Sequence, residues 1–300
     1  MWTAVEIEPD SCTPLDNTTF LFAYSNDFDP LLVDNWLRYL QPSNDVLPHY
    51  SKFASIRFDI KNEEEFEYQN TFGEIVSYVQ NHLPDPSLGF DSQDTGSNVL
   101  RMIDRFLDNA VVPVCGSKMT IYVKRYPNET DYSRIVAKMR QHHSYLTIFA
   151  STNPSGGYHP ETLYDLDSKT NGLCAFDDDD NILWAEERVQ TVYCVLASVR
   201  SESKANGQYW FTVMMQDNGP MTVVQTVMLS WINDNDNGHL GKNGTIFEGS
   251  GNHIRSWEDL NNAPYNVQLD FNYTDSKARR VQIRVHNLYI PINYWVSYDN

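Results

Sequence analysis

Residues of types that could do chemistry fall into a few short clusters. Asn233-Asp-Asn-Asp-Asn-Gly238 offers oxygen donors at alternate positions, as a calcium loop does. Such a loop also needs a bidentate glutamate at its twelfth position, which here is Gly244. The run therefore reads as a polar hairpin loop. Asp177–Asp180 is a carboxylate run after an apolar strand, a pattern that solvent usually claims. His142 and His143 are adjacent, so on a helix they point apart and cannot chelate as an i, i+4 pair does. A helix C-terminus favours histidine through its dipole, which accounts for them without a ligand. Ser155-Gly-Gly157 and Gly249-Ser-Gly251 read as flexible loops, outside the strand–Gly-x-Ser-x-Gly–helix setting of a hydrolase. Phosphate-binding glycine loops and zinc-type Cys/His spacings do not occur. No catalytic constellation results, so the expectation is a protein that is not an enzyme and takes no cofactor.

Composition narrows the partners. The 300 residues carry a formal charge of −18, from 22 basic and 40 acidic side chains. A surface that acidic repels phosphate backbones, which argues against nucleic acid and anionic membrane. No apolar run approaches the roughly 20 residues of a membrane span. The start, Met1-Trp-Thr-Ala-Val-Glu-Ile-Glu, lacks the basic and apolar regions of a signal peptide. Sequons at Asn17, Asn128, Asn243 and Asn272 nevertheless invite N-glycosylation. The expectation is a secretory or extracellular fate, with the cytoplasm as the alternative.

The elements that must position any site divide into two grammars. Thr18–Ser25 reads as a buried strand. Asp29 then caps a helix opened by Pro30, whose apolar face is Leu32, Val33, Trp36, Leu37 and Leu40. Phe53–Ile60 alternates like an edge or half-exposed strand, and Glu63–Glu65 like a solvated helix start. Helices follow at Phe72–His82 and Thr95–Leu107. Next come a strand at Met119–Val123, a helix at Asp131–Gln141, a strand at Tyr145–Ala150, a helix at Pro160–Lys169 and a strand at Leu173–Phe176. Asn171-Gly172 has the chemistry of a left-handed helix cap. Strands alternating with helices predict a mostly parallel, doubly wound α/β sheet.

Beyond about Asp177 the pattern changes to short strands separated by turns. They are Gln208–Gln216, Thr222–Ile232, Thr245–Phe247, Tyr265–Tyr273 and Arg279–Val285, with Trp295–Tyr298 a further candidate. Turn signals stand at Asn206-Gly207, Asn218-Gly219-Pro220 and Asn237-Gly238. This predicts an antiparallel β-sandwich. The division is then an irregular segment at 1–17, an α/β domain at 18–195 and a β-sandwich at 196–300.

Taken together, residues 18–190 resemble a von Willebrand factor A domain. Phe20-Leu-Phe-Ala-Tyr-Ser-Asn-Asp27 resembles its first strand and loop, and Asp94-Thr-Gly-Ser-Asn-Val-Leu100 a Thr-Gly-x-x-Leu helix start. Met119-Thr-Ile-Tyr-Val-Lys-Arg125 looks like the strand that usually ends in Asp-Gly. Leu83-Pro-Asp-Pro-Ser-Leu-Gly-Phe-Asp91, Val114-Cys-Gly-Ser117, Pro160-Glu-Thr-Leu-Tyr-Asp-Leu166 and Met215-Gln-Asp-Asn-Gly-Pro220 resemble a nematode family of A-domain-like proteins with a β-rich tail. That family has no activity to carry over.

The resemblance to the A domain implies a metal-ion-dependent adhesion site, in which oxygen ligands from three loops hold a divalent cation. This sequence departs from that pattern. The leading Asp of Asp-x-Ser-x-Ser has become Ala23, the threonine falls at Gln93 or at Thr95, and the final Asp corresponds to Lys124. An ammonium beside a cation opposes its binding, so the expectation is no metal. Ser25, Asp27 and Asp94 remain as loop caps.

Cys12 precedes the α/β domain and Cys194 follows it, so a Cys12–Cys194 clasp is expected if the protein is secreted. Cys115 and Cys174 are expected as buried thiols. The function expected is a non-enzymatic recognition or adhesion module for a protein or glycan partner. It would use the rim at the C-terminal strand ends: Tyr24, Ser25, Asp27, Asp94, Lys124, Arg125 and Thr152. An intracellular interaction scaffold is the alternative, and a divergent metal-dependent enzyme a third reading.

Overall fold

Thr18–Ser25 (β1) is buried along its whole length. A strand of that kind belongs inside a sheet covered on both faces. The computed structural model describes residues 12, 16–40, 50–170, 172–182, 207–215, 224–243, 252–261, 263–273 and 281–287. In it, β1 lies near the middle of a six-stranded sheet. The other strands are β2 (Tyr50–Phe58), β3 (Glu67–Gln69), β4 (Lys118–Val123), β5 (Tyr145–Ser151) and β6 (Leu173–Asp177). Their order is β3-β2-β1-β4-β5-β6, and only β3 runs antiparallel to its neighbour.

Side-chain alternation builds a layer on each face. Phe20, Phe22 and Tyr24 point to one side with Tyr122 and Phe149. There they meet α1 (Pro30–Tyr39) and α2 (Phe72–Gln80) through Val33, Trp36, Leu37, Ile75 and Val79. Trp36 stacks on Tyr122 at 4.6 Å, nearly coplanar at 7°. Leu21, Ala23, Met119, Ile121 and Ile148 point to the other side. They are covered by α3 (Val99–Leu107), α4 (Ser133–Gln141) and α5 (Pro160–Ser168).

The helix ends follow local chemistry. Asp29 accepts the amide of Leu31 and so caps α1. Thr71 and Glu74 form a reciprocal capping box on α2.

Beyond the α/β unit lie two three-stranded antiparallel sheets. One has the order β10-β7-β12, from His253–Leu260, Gly207–Met215 and Val281–Asn287. The other has the order β11-β8-β9, from Asn266–Tyr273, Val224–Ile232 and Asn237–Asn243. They share an apolar cluster in which Phe211 stacks on Trp231 at 4.2 Å. This unit also grips the α/β sheet. Asn252 receives the Phe176 amide on Oδ1 at 2.9 Å, and donates Nδ2 to the carbonyls of Cys174 and Met215. One side chain thus pairs with the outer edge of β6. Arg284 donates to the carbonyls of Thr170 and Gly172, beside the buried Asp167.

Several expectations need correction. β2 is internal, paired with β1 and β3, because Ala54, Ile56 and Phe58 are all needed in the core. Glu63–Glu65 starts no helix; Glu63 and Glu65 pair with Arg105, and Glu64 pairs with Arg57. Helix α3 begins at Val99 rather than Thr95, since residues 95–98 are spent on tertiary hydrogen bonds. Gly172 is not left-handed: a Cβ there would lie 1.9 Å from Asp167 Oδ1, so close approach explains it.

Strands β9 and β10 went unread. The hairpin turn lies at 233–236, as the polar run suggested, while Gly238 is already strand, where a Cβ would meet the Trp231 indole at 2.5 Å. The strands expected at Thr245–Phe247 and Trp295–Tyr298, the turn at Asn218-Gly219-Pro220 and the boundary near 195 lie outside the described residues.

Candidate functional site

The strand order reverses between β1 and β4, and the crevice outside such a point is where open α/β sheets hold ligands. Asp27 follows β1, and Lys124 and Arg125 follow β4. Arg125 is 3% exposed and fills the crevice. Its Nε donates to Asp27 Oδ2 at 2.8 Å. Its Nη1 donates to the carbonyls of Ser92 and Thr95 at 2.9 and 2.7 Å. Asp27 Oδ2 also accepts from Ser155 Oγ at 2.5 Å.

The Ser155-Gly-Gly157 stretch, expected to be flexible, is held on two sides. The Tyr126 amide donates to the Gly156 carbonyl, and the Gly157 amide to that of Gln93. Gly157 has φ +77°, and a Cβ on it would lie 1.8 Å from the Tyr126 oxygen, so only glycine fits.

Lys124 makes a second internal pair. Its Nζ donates to Asp179 Oδ2 at 2.6 Å and to Ser151 Oγ at 3.1 Å. Thr152 Oγ1 donates to Asp178 Oδ1 at 2.5 Å. The acidic run is therefore built into the rim, with Asp177 buried, and is not the solvated stretch expected. Asp180 alone of the run is exposed.

Asp59, which no motif marked, is fully buried at the end of β2 with φ +62°. Its carboxylate accepts from Ser25 Oγ at 2.6 Å, Ser97 Oγ at 2.7 Å and the Asn98 amide at 3.2 Å. Burial pushes its pKa up to about 7; the serine hydroxyls and the Asn98 amide oppose that, and Asp27 adds to it.

The seven expected rim residues thus separate by depth. Tyr24 is buried below the rim and donates to the His82 carbonyl, and burial raises its phenol above the ordinary range. Ser25 is buried on Asp59. Neither can meet a partner, which corrects that expectation: β1 is covered on both faces up to its last residue. Asp27, Lys124 and Arg125 are consumed in internal pairs, and Thr152 is partly accessible. Asp94 is exposed; Tyr158, itself 60% exposed, donates to its carboxylate. That hydrogen bond holds the Tyr158 phenol above its ordinary range. Tyr158 was missed because an aromatic in a glycine loop carries no motif.

These residues do not fit the divalent cation implied by the A-domain resemblance. An ammonium and a guanidinium already sit on the carboxylates that would bind it. Ala23 lies in the core. Among the described residues no cluster of three His, Cys, Asp or Glu is arranged to hold a metal. His142 caps the C-terminus of α4.

Cys12 is bonded to Cys115, not to Cys194. The expected Cys12–Cys194 clasp and the expected Cys115 thiol are both corrected: Cys115 begins the turn into β4, and the Cys12 Cα lies 5.6 Å from its own. Cys174 is a buried thiol, and Cys194 lies outside the described residues. Asn17 and Asn272 are exposed. Asn128 is exposed too, though its amide donates to the Asp94 carbonyl at 2.8 Å. Asn243 ends β9.

Comparison with known proteins adds little. Residues 193–288 match a domain of unknown function, DUF7154. No curated protein matches the chain. A solved structure of proximal thread matrix protein 1 from the mussel byssus is similar at 10% identity and a TM-score of 0.43. The match covers 62% of this chain and 50% of that one, so the chain spans half its length. Among the described residues no helix is long and apolar enough to cross a membrane.

Proposed function

We propose that the chain is a non-enzymatic recognition module of the von Willebrand factor A type, followed by a β-sandwich, that binds a protein or glycan partner outside the cell. The observation that carries this reading is the filled crevice at the switch point. Arg125 and Lys124 neutralise Asp27 and Asp179, so the position where such folds hold a small ligand is closed. What remains for a partner is the outer surface of the rim, with Tyr158, Asp94 and Asn153 exposed. An exposed aromatic flanked by hydrogen-bonding groups suits a protein or sugar surface. The Cys12–Cys115 disulfide supports an oxidising compartment. The likeness to a nematode family rests on sequence wording alone.

Two measurements test the reading. Intact mass of the native protein, with and without deglycosylation and with alkylation before reduction, should reveal glycan and leave Cys12 and Cys115 unalkylated. No glycan together with alkylation of both would sink the extracellular reading in favour of an intracellular scaffold. For the rim, Tyr158→Ala with Asn153→Ala should weaken binding to a matrix-protein or glycan array about tenfold. Val111→Ala, exposed at the opposite end of the sheet, should not. Equal binding by both variants would remove the rim from consideration.

A further inference from the structure

The crevice that Arg125 fills is lined by oxygen atoms from three separate loops. Asp27 Oδ2 comes from the loop after β1, the Ser92 and Thr95 carbonyls from the segment before α3, and Ser155, through Asp27, from the loop after β5. A hard cation gathers loops in this way, by drawing oxygen atoms onto one centre of positive charge. We propose that the Arg125 guanidinium is a tethered cation that clamps these three loops to the end of β4, so that the rim holds its shape with no added ion.

Three observations carry the assignment. The guanidinium uses two of its nitrogens in two directions, a planar arrangement that an ammonium cannot reproduce. Its carbon lies 5.4 Å from the Phe90 ring centre, which fixes its plane from a further side. Space is reserved for it at Gly156, where a Cβ would lie 2.3 Å from Nη1. The charge also closes locally, since Asp27 answers Arg125 with a side chain only 12% exposed. Arg125 is thus a positioning residue, and its role does not depend on what the rim binds.

The test is residue-resolved hydrogen exchange on the full chain. Arg125→Ala should speed exchange about tenfold or more at 26–29, 92–97 and 155–159 together, as charge-assisted hydrogen bonds are lost. Exchange in β1, β4 and β5 should be unchanged. Arg125→Lys should not restore protection. Methylguanidinium added to Arg125→Ala should restore it at all three loops, and methylammonium should not. Should Arg125→Ala fail to fold, Arg125→Lys keeps the charge but not the two-directional donation, and should loosen the same three loops. The proposal is overturned if only residues next to 125 respond, or if lysine suffices. It is equally overturned if wild-type loops gain protection from calcium or magnesium or lose it to a chelator.

Discussion

A carboxylic acid sealed from water, with no cation in contact, favours its proton. Asp59 is in that position: it faces two hydroxyls and an amide, and the Asp27 carboxylate further disfavours its charge. Its folded pKa of about 7 lies above the unfolded value of 3.8. Between those values the folded chain keeps a proton that the unfolded chain releases. Stability is therefore greatest below the unfolded value and is lost as pH rises through the folded one. At 1.36 kcal/mol per unit, the loss attributable to this group is about 4 kcal/mol. Asp59→Asn should remove that component, since its carbonyl can still accept the Asn98 amide while the serine hydroxyls rotate. Urea denaturation from pH 4 to pH 8 should show the variant gaining on the wild type as pH rises. Parallel curves would mean Asp59 is ionised throughout. No local pattern marks this residue, because Phe53–Ile60 alternates as a half-exposed strand would. Burial comes from the end of β1 and from the segment before α3, contacts that local periodicity does not show.

At the scale of elements, long periodic segments were legible and short or irregular ones were not. The β4–α4–β5–α5–β6 run stands within a few residues of expectation, because strand and helix periods alternate cleanly there. β3 is three residues long, too short to show any period. β9 (NGHLGKN) carries two glycines, and its identity comes from pairing with β8. Asn252 shows the same limit: it closes the edge of β6 from 75 residues beyond that strand's end, at Asp177. Asn252→Ala would leave the Phe176 amide and the Cys174 and Met215 carbonyls without these bonds in a buried setting. The expected cost is about 3 kcal/mol by equilibrium denaturation. A loss below about 1 kcal/mol would mean that water replaces the side chain.

For the whole molecule, the question is whether the α/β unit and the β-rich unit stand or fall together. Besides Asn252, Arg284 bonds the Thr170 and Gly172 carbonyls, and Tyr164 donates to the Met214 carbonyl. Met214 itself belongs to the α/β core cluster. Arg284→Ala removes both bonds to the Thr170 and Gly172 carbonyls in a buried setting, at an expected cost of about 3 kcal/mol. Calorimetry should show one transition for the wild type and two for the variant. Two transitions in both would mean that the contact is incidental. None of this coupling was readable beforehand, because it joins residues 50 to 114 positions apart whose types are ordinary.

The Cys12–Cys115 bond has a mechanical consequence. Tension applied to the chain ahead of Cys12 does not reach β1 first, because the covalent link passes it directly to the residues entering β4. β4 is gripped by β1 on one side and β5 on the other, in parallel register. Load arriving there is resisted by two rows of hydrogen bonds in shear, and the chain between the cysteines, which are 103 positions apart, feels it only through the pairing of β1 with β4.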